Sequence, residues 1–148
     1  MKKTILIILL CGIIVLGIIG YGTKVGKKSD VQISQSDVSL MIKDGTLTNK
    51  SATLILQNNS DKNVQYGEEY TIEIKKHGEW YKMKSGERWF NMIAFLLGAG
   101  ESKEIEVNLE YGYGKLKKGT YRIIKSMDYD YEDGKYETFN IAVEFTIE

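Results

Sequence analysis

Four acids fall within six consecutive residues in "DYDYEDG", residues 128 to 134: Asp128, Asp130, Glu132 and Asp133. Carboxylates spaced this closely before a glycine are the raw material of a calcium loop, because the ion needs several hard oxygens from one tight turn. The order departs from an EF-hand, however. The glycine belongs at the sixth position and Gly134 is at the seventh, while Phe139 stands where the bidentate glutamate should be. The competing reading is a hairpin with Asp133-Gly134 at its tip, Glu132 opposite Lys135 and Tyr131 opposite Tyr136. The hairpin is the expectation, with Asp128, Asp130 and Asp133 as the metal candidates should the loop bind an ion.

No other chemistry assembles. His77 is the single histidine, so neither a multi-histidine metal site nor a nucleophile–histidine–acid triad can be read from the spacing. Its place before Gly78 suits a two-residue turn, where positive φ is required. "EYGYGK" lacks the spacing of a phosphate loop and its Lys-Ser/Thr pair. No catalytic residue and no cofactor are expected. Tyrosine is what remains: Tyr111, Tyr113, Tyr129 and Tyr131 fall in or beside loops. Tyrosine offers wide contact at low entropic cost, which suits binding loops. Tyr111 and Tyr113 are therefore the candidate partner-binding residues, against the plainer reading that such tyrosines cover a sheet face.

The elements that must position these residues read as strands. From Val38 the apolar period is two, through Val38, Leu40 and Ile42, then Ala52 to Asn58, Tyr70 to Ile74, Ile105 to Leu109 and Ile141 to Ile147. Asp44-Gly45 and His77-Gly78 supply turns, and the second sets a register in which Ile74 faces Tyr81. "RWFNMIAFLL" is apolar on both faces and reads as a fully buried strand. Seven to nine short strands with regular turn signals indicate an all-β sandwich or barrel.

Ahead of this domain, Ile5 to Gly22 carry no charge. As a helix these 18 residues would span roughly 27 Å, close to the hydrocarbon thickness of a bilayer. Residues 1–22 are expected to form a transmembrane signal anchor, the alternative being a signal peptide cut after Gly20-Tyr21-Gly22. Cys11, the only cysteine, lies inside the run without the small preceding residues of a lipidation site. Residues 23–35, polar and without aromatics, read as a tether, so the domain of residues 36–148 should close without residues 1–28. Five lysines and no acid lie in residues 1–28, which leaves residues 29–148 with 15 basic and 20 acidic residues, a net of −5. A negative domain repels phosphate, so nucleic acid is not an expected partner. The short basic N-terminus favours N-inside, C-outside insertion.

"KLKKGTYRII" separates sandwich from barrel. Leu116, Gly119 and Tyr121 have the spacing of a tyrosine corner, in which a tyrosine opening the penultimate strand bonds back to the preceding backbone while the leucine packs under its ring. The expectation is an immunoglobulin-like β-sandwich. The corner sets a condition on the last hairpin. A plain two-residue turn would pair Ile124 with Val143 and put Tyr121 on the face away from Phe145, so one extra residue is expected there. "NNSDKNVQYGEEYTIEIKKHGEWYKM" and "LLGAGESKEIEVNLEYGYGKLKKGTYRIIK" resemble a bacterial Ig-like domain family of surface and secreted proteins, from about Leu47 to Lys125. Lys118 and Ala99 stand where that family usually has a proline before the turn glycine. The resemblance implies an extracytoplasmic module and transfers no catalytic residue.

The resulting expectation is a single-pass, membrane-anchored binding module that meets a protein or cell-envelope polymer outside the cell. The alternative is a secreted or surface proteinase inhibitor, with Lys84 to Arg88 as its loop. In the sandwich topology "NNSDKN" and "DYDYEDG" share the end where the tether should arrive, leaving Tyr111 to Gly114 pointing away from the membrane.

Overall fold

A computed structural model describes residues 24–131 and 133–148. The expected anchor, Cys11 and the cleavage triplet lie outside the described residues, as does Glu132. Among the described residues no helix is long and apolar enough to cross a membrane.

Among the described residues ten strands form two antiparallel sheets: β1 Val25–Lys28, β2 Val38–Ile42, β3 Ser51–Asn58, β4 Val64–Tyr66, β5 Thr71–Lys76, β6 Glu79–Met83, β7 Phe95–Leu97, β8 Ser102–Asn108, β9 Gly119–Asp130 and β10 Tyr136–Ile147. The smaller sheet runs β2-β3-β8 and the larger is built around β9. The period-two pattern does what it must in such a pair of layers, turning one side of each strand into a shared interior. Leu40, Leu54, Leu56 and Val107 from one sheet meet Ile72, Ile123, Met127 and Phe139 from the other. The His77-Gly78 turn has φ of 50° and 79°, and Ile74 lies opposite Tyr81.

Strand β9 explains the shape of the larger sheet. One edge pairs with β10 along its whole length. The other edge is shared, by β5 opposite Tyr121 to Ile124 and by β4 opposite Met127 to Tyr129. Lys125 sits at the change of partner. Its buried ammonium donates to the carbonyls of Gly67 at 2.8 Å and Glu69 at 2.9 Å. These belong to the chain that steps from β4 to β5, where ladder partners are missing. Burial pushes this amine down to about 8.

Three sequence expectations need correction. Residues 24–35 are not a tether. β1 pairs with β6, and the chain beyond it crosses the outer face of the larger sheet as a strap. Ser29 Oγ donates to Glu73 Oε1 at 2.5 Å, and Ser34 and Gln32 bond Asn140 at the far strand. Beneath the strap, Glu73 and Arg122 form an ion pair with Nη2 to Oε2 at 2.6 Å, and both are buried. The segment is polar because the groups it covers are polar. The domain therefore begins by Lys24, and removing residues 1–28 would strip β1 from its sheet.

"RWFNMIAFLL" is not a buried strand either. Only Phe95–Leu97 is β-structure, and it pairs with β4 at the margin of the sheet. The last hairpin carries the extra residue that the corner required. Tyr131 N–H donates to Lys135 C=O, which leaves three residues between the paired positions, with Gly134 at φ 76°. The ladder then runs unbroken, with Ile123 opposite Val143 and Tyr121 opposite Phe145. The two-residue turn at Asp133-Gly134 is thereby excluded.

Candidate functional site

The connection between β6 and β7, residues 84–94, has no ladder of its own, yet its backbone is held at four points. Lys84 N–H donates to Lys24 C=O at 2.6 Å and Gly86 N–H to Gly112 C=O at 2.8 Å. Trp89 N–H donates to Tyr111 Oη at 2.6 Å, and Asn91 N–H to Glu68 Oε2 at 3.2 Å.

Arg88 fastens the centre of this connection. Its Nη1 donates to Tyr70 C=O at 2.8 Å and to Tyr113 Oη at 2.9 Å. The guanidinium carbon lies 4.4 Å from the ring centre of Tyr70, 4.6 Å from Tyr113, 4.7 Å from Phe90 and 5.9 Å from Tyr111. Nε and Nη2 are buried without a hydrogen-bond acceptor, and the ring faces take that place. Each such contact contributes about 0.5–2 kcal/mol as it becomes desolvated. The rings also brace each other, Phe90 meeting Tyr70 and Tyr111 edge to face at 5.7 and 5.9 Å. Gly112 makes room for the box. Its φ is 76°, and a Cβ there would lie 2.4 Å from Arg88 Cγ.

Held this way, the connection and β7 after it turn apolar side chains outward. Trp89 is 79% exposed, Met92 fully so, Ile93 51% and Leu96 59%. Trp89, Met92 and Ile93 line one shallow groove with Gln65, Gly67 and Asp128. Isolated exposed apolar residues need no explanation, but four on one rigid stretch form a patch that water disfavours.

The sequence-derived candidates fare differently. Tyr113 is only 3% exposed, and its hydroxyl accepts from Ile72 N–H as well as Arg88. Tyr111 is half-buried, with its hydroxyl shared between the N–H and C=O of Trp89. Both tyrosines hold the connection in place and are not free to grip a partner. Arg88, enclosed by rings, cannot serve as the exposed anchor of an inhibitory loop. Asp128, Asp130 and Asp133 are not brought together. Asp128 accepts from Thr138, Asp130 from Gln65, and Asp133 pairs with Lys135. Among the described residues no three His, Cys, Asp or Glu side chains are grouped to hold a metal. Leu116 is buried, and Tyr121 Oη donates to Lys117 C=O at 2.6 Å while its ring stacks on Phe145. Burial raises the Tyr121 hydroxyl above its usual range.

The chain also arrives at a different place from the one expected. "NNSDKN" and "DYDYEDG" do meet, through Asp130 N–H to Asn63 C=O and Lys62 over the Tyr129 and Tyr131 rings. Lys24, however, lies on the other flank, with Nζ donating to Tyr113 C=O at 2.6 Å. The first described residue thus sits beside Tyr113 and Gly114. Sequence reasoning missed the outward-facing patch. The available signal was a ten-residue apolar run with no period and a Glu-Arg-Trp-Phe start, which a buried strand has no reason to contain.

Residues 34–146 match the family described as "Bacterial Ig-like domain". No curated protein matches the chain. A crystal structure of a protein from Archaeoglobus fulgidus is 13% identical over 78% of this chain and 98% of that one, with a TM-score of 0.27.

Proposed function

The chain belongs to the bacterial Ig-like domain family, and from that premise we propose that it is a non-catalytic interaction module, fixed to the outer face of a membrane by residues 1–22. The observation that carries the reading is the row of exposed apolar side chains, Trp89, Met92, Ile93 and Leu96, on a backbone locked by Arg88 and four rings. A rigid apolar projection binds without the cost of ordering a loop. The 18-residue uncharged run before it has the length and flanking lysines of an anchor. The partner belongs to the cell envelope and meets the module through residues 84–97. Tyr111 and Tyr113 support that surface from beneath.

The test uses cells producing the chain with Asp44→Cys, an exposed position in the β2–β3 turn. The expected result is labelling by a membrane-impermeant maleimide in intact cells, with the labelled protein retained in membranes after an alkaline wash. Labelling only after permeabilisation, or release by the wash, would overturn the anchored, outward-facing arrangement.

A further inference from the structure

Residues 24–36 are packed on the domain and supply no free linker. The backbone is bonded at Lys24, at β1 and along the strap, so whatever holds residues 5–22 also fixes which flank of the domain faces it. That flank is the one bearing the β6–β7 connection. Lys84 is bonded to Lys24, and five residues of chain separate it from Trp89. At the reach of an extended chain, Trp89 lies at most ~17 Å from that bond. An anchor leaving a bilayer at residue 22 would therefore keep Trp89 near the headgroup layer, with Met92 and Ile93 following on the same connection.

We propose that this patch docks on the bilayer surface itself, so that the domain lies against the membrane with Trp89 and Met92 in the interfacial layer. The inference rests on the anchored reading above and names the occupant of its apolar surface. The side chains suit that medium. Tryptophan settles at the membrane–water boundary, and methionine, isoleucine and leucine ask for no hydrogen-bond partner there. Lys84 stands between the apolar run and the patch, placed to lay its stem on lipid and its ammonium group in the headgroup zone, while the Lys24 ammonium is held by Tyr113 C=O. Glu68, Glu69 and Asp128 line the groove with Trp89 and Met92, and Glu87 precedes it in the chain, so the patch carries no net positive charge. Docking therefore relies on apolar contact and not on attraction to anionic lipid, and it should survive high salt.

The experiment reconstitutes the full chain into phosphatidylcholine vesicles, with or without brominated acyl chains, and compares it with Trp89→Phe. Flotation of the vesicles reports the anchor. Tryptophan emission reports docking, because bromine quenches only indole at its own depth, and subtracting the Trp89→Phe signal removes the contribution of Trp80. Expected are flotation of both proteins and loss of the Trp89 component in brominated vesicles, at low and high salt alike. If the chain floats but the Trp89 component is the same in both vesicles, the docking fails while the anchor stands. If the chain does not float, the anchor fails and the docking with it. Disulfide cross-linking through Met92→Cys in vesicles with no quenching of Trp89 would assign the patch to a second copy of the chain instead.

Discussion

Arg122→Met should be among the most damaging single substitutions in this domain, although Arg122 points away from the core. It lies on the outer face of β9, where its Nη2 and Nε reach Glu73 Oε2 at 2.6 and 2.8 Å and the Trp80 ring covers its guanidinium at 4.6 Å. The other oxygen of Glu73 accepts from Ser29 in the strap. Replacing Arg122 leaves a buried carboxylate with one hydroxyl donor, and stranding a buried charge in this way costs about 3–5 kcal/mol. Against a total stability of about 5–15 kcal/mol that is a large fraction, and it should lower the melting temperature by on the order of 10 °C or more. The double variant Glu73→Met with Arg122→Met is the control. It removes the charge along with its partner, and well-packed apolar replacements of buried pairs are often close to neutral. Urea unfolding of the detergent-solubilised protein, followed by far-UV circular dichroism, gives all three stabilities. If Arg122→Met costs under about 1 kcal/mol, or the double variant is no better than the single one, the pair is not sealed from water and the strap does not cover it.

Three further outcomes are expected. Tyr121→Phe should cost about 1 kcal/mol or somewhat more through loss of its bond to Lys117 C=O, read as a lower urea midpoint. Gly112→Ala should be far more damaging than Gly45→Ala. Both positions have φ near 75°, but only the Cβ at Gly112 meets Arg88, whereas Gly45 faces open space; equal midpoints would remove the locked-connection argument. The Lys125 amine is depressed to about 8 from an ordinary 10.5, so the unfolded chain binds the proton more tightly in between. Stability from this group therefore rises as pH climbs through 8 and is lost as pH falls back through it. The hydroxyls of Tyr66, Tyr70, Tyr121 and Tyr129 are raised above 10 by burial and act in the opposite sense, favouring unfolding only above about 10. Stability should thus increase from pH 8 to about 10 in the wild type, and Lys125→Met should abolish that increase in the same titration.

Local chemistry carried much of the fold into the sequence. A positive-φ turn at His77-Gly78 and apolar residues two apart leave few choices for β5 and β6, since a slip of one residue would turn every core side chain outward. The Leu116, Gly119 and Tyr121 spacing acts over six residues, and its demand on the last hairpin pointed to the extra loop residue near Gly134. Tyr111 and Tyr113 show where such reasoning stops. Loop tyrosines look the same in sequence whether they face solvent or a half-buried arginine, and the side chain that these two enclose, Arg88, comes from a different connection.

What the sequence by itself determined was the inward face of β2, β3, β5, β8 and β10, several of the turns between strands and the apolar run ahead of them, all consequences of residues close together in the chain. What only the tertiary structure decided was coverage. Ser29 meets Glu73 across 44 residues and Gln32 meets Asn140 across 108, so a polar stretch that resembles a tether becomes a strap over a buried ion pair. By the same logic Trp89, Met92, Ile93 and Leu96 stay exposed, because burial of a side chain depends on which distant segment lies over it and not on its own hydropathy. No local pattern encodes that, since the free energy of burial belongs to the pair of surfaces brought together.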